Sequence, residues 1–568
     1  MSHHPVRLFA SGLLRALAPG LRSWAWLLLI AASPVPAQER DAGQPSHQEV
    51  RPAVGTDAVS PVSGLTRLPV DERPCFSIQT VELVLSSPAP LPLAPLKAAL
   101  KGAAGDDAPQ GKCLGALGAA VLLERTQNAL IEQGFVTSRV LVSPQNLSTG
   151  RLVFQVVPGR IAAVRMEGNR PRPTLGAALP MGPGDLLNLR DIEQALENLR
   201  RVPSVQADIR IEPAPQPGHS DLVIRWAQGT PSRLLLTADD SGDAFSGRYQ
   251  GSATLSLDDP LALNDLLYLT LSHDLGGGMS GQRGTRGVNA HYSLPFGHWS
   301  LAFNGGRNRY HQTVAGLSQD YVYSGQSDRR EVELSHLLHR DANSKTHWTY
   351  SLFARRSHNL IDDTEVEVQR RRVGGYQMGL QHQRQWGRAT VEAGVQFRRG
   401  TGAFGATAAP EDAFGEGTHR FALWQASAQW RLPWVLGGQR GQYQGQWRWQ
   451  HNRTPLTPQD RFAMGGRHTV RGFDGQASLS GDRGWLVRNE VSVPIKPGPT
   501  LYVALDHGRV GGPSSRHLVG TRLTGLAVGA RETWQGIAGD VFLGWPLAKP
   551  DAFRTAHISY GVALSASY

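Results

Sequence analysis

Apolar and polar residues alternate strictly at the C-terminal end of the sequence. The even positions from Ile558 to Tyr568 are apolar or aromatic, and the odd positions between them are small or polar. A period of two predicts a β-strand whose two faces meet different surroundings. The run is about ten residues long, the length of one tilted transmembrane β-strand. We therefore expect a strand that closes a barrel, with the aromatic Tyr568 as its terminal assembly signal.

Shorter segments of the same kind recur from residue 230 onward, separated by loops rich in Gly, Asn, Asp and Ser. In one segment, Trp348, Tyr350 and Leu352 share one face. With about 20 residues for each strand and its loop, residues 230–568 predict about 16 strands, within the range of bacterial outer-membrane barrels. The predicted fold is a transmembrane antiparallel β-barrel. A soluble β-sandwich would not need so many strands with aromatic residues on an outer face.

Two segments before the barrel mix strand-like and helical spacings. Residues 75–157 open with a strand-like run, continue with an apolar helical stripe from Leu114 to Leu130, and end in strands. Residues 158–229 repeat this order, and their helical stripe ends at Pro203. We predict two small α/β modules, which form a weak internal repeat of roughly 70–80 residues. Because both are too small for a catalytic cleft, interaction modules are the better interpretation.

Residues 1–37 have the features of a secretory signal peptide. A basic stretch precedes a short apolar run, and Val35-Pro36-Ala37 forms a small-residue cleavage site. The alternative, a membrane anchor, is disfavoured because the apolar run is too short to span a bilayer. Residues 38–74 are rich in Pro, Gly, Ser and acidic residues, which is typical of a linker or a disordered arm.

Composition agrees with a barrel in an exported protein. The 568 residues include 64 Gly and 14 Trp, and the net charge is +11. Half of each barrel strand faces water in the lumen, so a negative mean hydropathy is expected. A basic balance can indicate nucleic acid, but a signal peptide argues against that partner. Arginines that face anionic lipid or a polypeptide substrate fit better, and solvated surface charge is the alternative.

The sequence has two cysteines, Cys75 and Cys113, both within the first predicted module. Two cysteines in an oxidising periplasm are expected to form a disulfide. The alternative is a pair of inert buried thiols. No Cys/His cluster with metal-ligand spacing surrounds them, so we predict no metal site.

One region, Met464–Phe473, stands apart from the predicted strands and opens an ordered set of motifs that continues further along the chain. These are Val470-Arg471-Gly472-Phe473, then Gly481-Asp482-Arg483-Gly484-Trp485, then Leu505-Asp506-His507-Gly508. The set resembles the two-partner secretion transporters (TpsB, the ShlB/FhaC/HecB family) of the POTRA-barrel superfamily. The resemblance covers the whole mature chain. It implies that the two modules are POTRA modules in the periplasm of a Gram-negative bacterium and that the barrel lies in its outer membrane.

Strand parity assigns roles to several of these residues. If Leu501, Val503 and Leu505 face lipid, Asp506 and Gly508 face the lumen.

Arg471 has a planar fork that suits a carboxylate, and a desolvated Arg needs a partner. Gly472 lets the loop turn through backbone angles closed to other residues. We therefore predict a contact between Arg471 and Asp506, and the resemblance implies the same, with the loop pinned to the inner wall. Arg488 and Glu490 share the inward parity and are predicted to extend the network. A solvated Arg471 is the alternative.

The resemblance implies a translocation pore that secretes one large β-helical exoprotein, a TpsA-like adhesin or haemolysin with an N-terminal secretion domain. The POTRA modules would recognise this cargo, which would cross the pore unfolded. Outer-membrane lipid and the barrel-assembly machinery are the other expected partners, and the transporter is expected to be a monomer. Family members often carry a plugging N-terminal helix; residues 38–73 show no clear amphipathic stripe, so the presence of a plug stays open.

Three other functions fit the sequence less well. A barrel-assembly insertase would have about five modules by family comparison, and a passive porin needs neither modules nor an inserted Arg-Gly-Phe loop. An enzyme would need a catalytic constellation, and the sequence has no Gly-x-Ser-x-Gly elbow, His-Glu-x-x-His or P-loop. We therefore expect no enzymatic activity and no cofactor.

Overall fold

The computed structural model describes residues 66–167, 175–316 and 319–568. Two small α/β modules precede a closed antiparallel β-barrel. The predicted signal peptide, 1–37, and most of the predicted linker, 38–74, lie outside the described residues, and so does the question of a plug helix before residue 66. No helix among the described residues is both long and apolar enough to cross a membrane.

The first module packs two helices against a small sheet. Its elements are β1 (Phe76–Ile78), β2 (Thr80–Leu85), α1 (Leu93–Ala99), β3 (Lys112–Leu114), α2 (Ala116–Glu132), β4 (Arg139–Leu141) and β5 (Arg151–Val157). Strand β5 lies centrally, parallel to β2 and antiparallel to β4. Leu122 and Leu130 of α2 are fully buried with Phe154 of β5. Gly134 follows α2 with a φ of 92°, the left-handed conformation that often ends a helix.

The described end of the predicted linker is fixed to this module. Leu68 is buried in the module's core, and its backbone N–H donates to Asp107 at 2.8 Å. The carboxylate of Glu72 accepts hydrogen bonds from the backbone N–H groups of Gly115 and Gly118 at 2.7 and 2.9 Å. These groups lie at the start of α2, which has no side-chain cap of its own. Glu72 therefore serves as the cap, because it satisfies donors that the first helical turn leaves unpaired.

The second module repeats this plan with β6 (Arg160–Met166), α3 (Leu175–Ala178), α4 (Leu189–Arg200), β7 (Val205–Pro213) and β8 (His219–Gln228). Its sheet has the order β6-β8-β7. The side chain of Asn188 caps α4 by accepting the backbone N–H of Arg190 at 2.8 Å. The buried side of α4, with Ile192 and Leu199, packs in the core with Ile224 of β8.

Sixteen strands close the barrel, and a two-residue extension, β16 (Thr364–Glu365), adds to β15. The strands are β9 (Ser232–Asp239), β10 (Tyr249–Asp258), β11 (Leu266–Gly276), β12 (Arg283–Phe296), β13 (Trp299–Ala315), β14 (Asp320–Arg340), β15 (Ser344–Ile361), β17 (Arg371–Trp386), β18 (Ala389–Thr401), β19 (Ala422–Leu436), β20 (Gln439–Asn452), β23 (Arg483–Pro494), β24 (Thr500–Gly511), β25 (Arg522–Trp534), β26 (Ile537–Ala548) and β27 (Ser559–Ser567). Each pairs antiparallel with its neighbours, and β27 pairs with β9. A short hairpin, β21 (Phe462–Met464) with β22 (Leu479–Gly481), lies outside the barrel order.

Strand faces alternate as the sequence predicted. On β24, Leu501 and Leu505 are each 47 % exposed on the outer face, whereas the alternate residues Tyr502, Ala504 and Asp506 are buried. The predicted fold class, a barrel of about 16 strands after two modules, is confirmed.

Two details of the first module differ from the sequence prediction. The strand-like run at 76–85 forms two strands that separate at Gln79, because β1 pairs with β3 while β2 pairs with β5. Helix α1 was not predicted. Its stripe is short, and Leu96 is its one buried residue.

Candidate functional site

A long loop, residues 453–482, connects β20 to β23 and is here called the inserted loop. Its apolar side chains pack against the inner wall of the barrel. Val470 and Phe473 of the loop are buried in one cluster with Leu486 of β23, Val510 of β24 and Leu523 of β25. The loop therefore lies within the lumen and covers three adjacent strands.

Arg471 at the tip of this loop meets Asp506 of β24. Its Nε donates to Oδ2 of Asp506 at 2.7 Å, and its Nη2 donates to Oδ1 at 2.8 Å. The backbone N–H of Arg471 also donates to Oδ2, at 2.9 Å. Asp506 is completely buried. The pair is bidentate, the arrangement in which an Arg–carboxylate contact is strongest and most specific.

Two further residues named from the sequence complete this network. Nη1 of Arg471 donates to Oε2 of Glu490 at 2.5 Å. Nε of Arg488 lies 3.6 Å from Oδ2 of Asp506, while its Nη2 donates to the carbonyl of Arg467 in the loop at 3.2 Å. Arg488 thus holds the backbone of the inserted loop as well as facing the buried carboxylate.

Two further ions, Arg531 and Asp540, extend this network and were not predicted from the sequence. Arg531 of β25 donates to Oε1 of Glu490 at 2.5 Å and to Oδ2 of Asp540 on β26 at 2.9 Å. Together with Arg471, Arg488 and Asp506, these residues give three cations and three anions on the inner wall. A neutral network matters because a buried ion without a partner costs several kcal/mol. Inward parity on β25 and β26 was the available signal for Arg531 and Asp540.

Glycines let the loop approach the wall. Gly472 has a φ of 98°, which disfavours other residues, and any Cβ there would collide with the carbonyl of Trp545. On the wall, a Cβ at Gly525 would collide with the carbonyl of Arg471, and one at Gly508 would lie 2.7 Å from Sδ of Met464. Gly525 was also missed. Its signal was a glycine at an inward position beside Asp506, with which it is paired across the strands.

A second ion pair joins the inserted loop to the seam where the barrel closes. Arg467 of the loop pairs with Asp240, which follows β9 and is buried. Asp240 also accepts the backbone N–H of Val562 in β27 at 2.9 Å. Tyr568 exchanges two backbone hydrogen bonds with Leu234 of β9, at 2.9 and 3.0 Å. No local pattern in the sequence pointed to Asp240, because it lies 227 residues from Arg467.

The second module is docked on the barrel through charged groups. Glu197 of α4 accepts from Arg340 and Lys345, which flank the turn between β14 and β15, each at 2.8 Å. Asn198 donates to the carbonyl of Gly297, in the turn between β12 and β13, at 2.7 Å. Burial raises the pKa of Glu197, but Lys345 and Arg340 outweigh that effect and lower it to about 2. Glu197 is therefore charged in its docked position.

The remaining residue pair named from the sequence is in the first module. Cys75 and Cys113 form a disulfide with a Cα–Cα distance of 5.2 Å. It joins the residue before β1 to β3, which leads directly into α2. Of the residues described, none form a group of three or more His, Cys, Asp and Glu side chains that could hold a metal ion.

These features define a class of protein: the closed barrel, the two small α/β modules and the inserted loop. The class is the POTRA-bearing β-barrel transporters of the outer membrane. Comparison with protein families gives three matches. The haemolysin secretion/activation protein family ShlB/FhaC/HecB matches residues 218–532, a ShlB-type POTRA domain matches 101–159, and a further POTRA domain matches 160–213. The chain belongs to the ShlB/FhaC/HecB family, the transporters of two-partner secretion. Its POTRA modules are in the periplasm, as the resemblance implied.

Individual relatives agree with this family assignment. The chain is 33% identical over 550 residues to the outer membrane transporter CdiB-2 of Burkholderia pseudomallei, which covers 94% of this chain and 92% of the relative. It is 24% identical over 383 residues to the hemolysin transporter protein ShlB of Serratia marcescens, covering 67% of each chain. The solved structure of CdiB from Acinetobacter baumannii superposes with a TM-score of 0.78 at 28% identity and covers 100% of both chains. The predicted function, a transporter that secretes a partner protein, is confirmed at this level.

Proposed function

We propose that the two POTRA modules recognise one large exoprotein and that this cargo crosses the barrel as an extended chain. The observation that carries the proposal is the bidentate contact between Arg471 and Asp506 inside a closed barrel. A diffusion pore gains nothing from a long loop locked into its lumen. A transporter can use it, because a loop held by specific ion pairs can be held, released and held again as the cargo passes.

The proposed cargo is a TpsA-like exoprotein, an adhesin or a haemolysin, with an N-terminal secretion domain. The hemolysin transporters among the relatives support this class. We further propose that the transporter acts as a monomer, is inserted by the barrel-assembly machinery, contacts outer-membrane lipid through its outer face, binds no nucleic acid and has no catalytic role. The proposed domain limits are 75–157 and 158–229 for the modules and 230–568 for the barrel.

Recognition would use the edges of the module sheets. Strand β2 is an edge strand of the first module, and β7 is an edge strand of the second. An extended cargo segment can add a strand to such an edge through main-chain hydrogen bonds, with side-chain pockets giving specificity. Val84 on β2 is 47 % exposed and offers an apolar contact at that edge.

The test is secretion of a candidate TpsA-like exoprotein with an N-terminal secretion domain, expressed together with this transporter. Cells that carry both genes should release the exoprotein into the medium. Cells in which the transporter lacks residues 75–229 should retain it, although the barrel still reaches the outer membrane. Conductance of the full chain and of the shortened chain in liposomes separates a transporter from a passive porin. Normal secretion without the modules would contradict the recognition role.

A further inference from the structure

Side-chain amides form a continuous row across four adjacent strands of the inner wall. Nε2 of Gln377 on β17 donates to Gln396 on β18 at 2.9 Å. Gln396 donates to Gln425 on β19 at 2.6 Å, and Gln425 donates to Gln450 on β20 at 2.8 Å. Gln450 ends the row by donating to the carbonyl of Asp460 in the inserted loop at 2.9 Å. The row therefore joins the wall of the lumen to the loop that fills it.

More glutamines lie between this row and the periplasmic turns of the same strands. Gln381 of β17 and Gln429 of β19 are exposed to the lumen and, with Gln396 and Gln425, line a cavity of about 510 Å³. Charged groups also line it. Among them, Lys345 is engaged by Glu197 of the second module, while Glu392 and Arg448 face the cavity from the strands of the amide wall.

A second lumen cavity, lined mainly by β11 to β15, carries more charged side chains and fewer amides than the first. Its lining carries Arg329 and Glu331, which pair at 2.5 Å, and Arg355, which pairs with Asp460 at 2.6 Å. Ion pairs of this kind select particular charged side chains. A wall of neutral amides does not select for charge, so a passing chain would make different contacts with the two sides of the lumen.

We propose that the glutamine wall of β17 to β20 is the surface along which the extended polypeptide moves. This rests on the proposed function. Each glutamine amide has two N–H donors and two acceptor lone pairs, and each peptide unit offers one N–H and one C=O. Gln396 and Gln425 use one donor and one acceptor site within the row and keep one of each for a passing backbone. Hydrogen bonds within the row already order both side chains, so little side-chain entropy is lost when a peptide binds. Such contacts are independent of cargo sequence.

The test uses the full chain, purified and reconstituted in lipid, with Gln429 replaced by a benzophenone amino acid. Two uncharged fluorescent probes are offered from the periplasmic side. One is a peptide of alternating Gly and Ser, and the other is a polysarcosine chain of the same length, which has no backbone N–H. A matched protein carries the benzophenone at Thr270, which faces the lumen on β11 and lines the second cavity.

We expect light to attach the Gly-Ser peptide at Gln429 several-fold more than polysarcosine, and several-fold more than at Thr270. Gln425→Leu should lower labelling at Gln429 to the polysarcosine level, whereas Thr254→Val on β10 should leave it unchanged. Equal labelling by the two probes, equal labelling at the two positions, or no labelling at Gln429 would overturn the assignment. If Gln425→Leu fails to assemble, the comparison of probes and positions decides alone.

Failure of this assignment is separable from failure of the proposed function. If the labelling results overturn the glutamine wall while cells still secrete the co-expressed exoprotein, the transporter stands and the wall does not carry its cargo. If cells with the wild-type chain do not secrete that exoprotein, the proposed function itself is wrong.

Discussion

The guanidinium of Arg471, in the inserted loop, and the carboxylate of Asp506, on β24, are joined by two side-chain hydrogen bonds of 2.7 and 2.8 Å. Asp506 is completely buried, and the backbone N–H of Arg471 donates to it as well. The pair therefore fixes both the side chain and the backbone of the loop tip. It gives the lumen one defined closed arrangement, which transport must keep or exchange.

The loop also depends on the absence of a side chain at Gly525. We predict that Gly525→Ala displaces the loop, because its Cβ would collide with the carbonyl of Arg471. Protease cleavage of the inserted loop in outer-membrane vesicles should increase several-fold. Gly511→Ala on β24 is the matched control, because a Cβ there has no heavy atom within 4 Å. Equal protection of the inserted loop from protease in both variants would contradict the claim that the loop packs against Gly525.

Docking of the second module should depend on the charge of Glu197. The pKa of Glu197 is lowered to about 2. Docking that depends on the charge of Glu197 is therefore complete above the ordinary glutamate pKa, and it is lost as the pH falls through about 2. We predict that the distance between spin labels at Gln206 and Arg388 stays fixed from neutral pH down to about pH 4. Glu197→Gln should broaden that distance at neutral pH.

The control for this measurement is Glu167→Gln, since Glu167 pairs with Arg210 and Arg225 inside the second module. That variant should keep the narrow distance distribution. A broad distribution in the wild-type chain at neutral pH would contradict electrostatic docking.

The disulfide should stabilise the first module. Cys75 and Cys113 are 38 residues apart, and closing a loop of that size contributes roughly 3–4 kcal/mol in the chain-entropy model. The full chain with both residues changed to Ser should therefore lose hydrogen-exchange protection in α2, while β8 of the second module keeps its protection. Mass spectrometry of the non-reduced wild-type chain should find no free thiol. Two free thiols would refute the pairing.

Deletion of Tyr568 should impair assembly rather than transport. Its backbone exchanges two hydrogen bonds with Leu234, so its loss shortens the pairing that closes the barrel and leaves an unpaired edge on β9. We expect a several-fold lower amount of protein in the outer membrane. Tyr568→Phe keeps the aromatic ring and the backbone bonds and should assemble normally. Wild-type levels of the deletion variant would rule out the terminal-signal interpretation.

Much of the architecture follows from local sequence pattern, because a period of two assigns faces without knowledge of neighbours. That rule put Asp506 in the lumen, and the need of a buried Arg for a carboxylate joined it to Arg471. The same rule could not find Arg467 and Asp240, whose contact exists only because the barrel closes. Glu72 was missed for a similar reason, since it caps a helix that begins 44 residues later along the chain, at Ala116. The functional role of the loop contact stays a prediction.

Secretion by four variants at matched outer-membrane levels tests the central claim most directly: wild type, Arg471→Ala, Asp506→Ala and the double variant. Removing one partner leaves the other charge buried, which costs roughly 3–5 kcal/mol. We predict that each single variant secretes several-fold less of the co-expressed exoprotein. The double variant should be little worse than either, because all three lose the same contact. Additive losses, or wild-type secretion by Arg471→Ala, would contradict the claim that this pair is the functional contact.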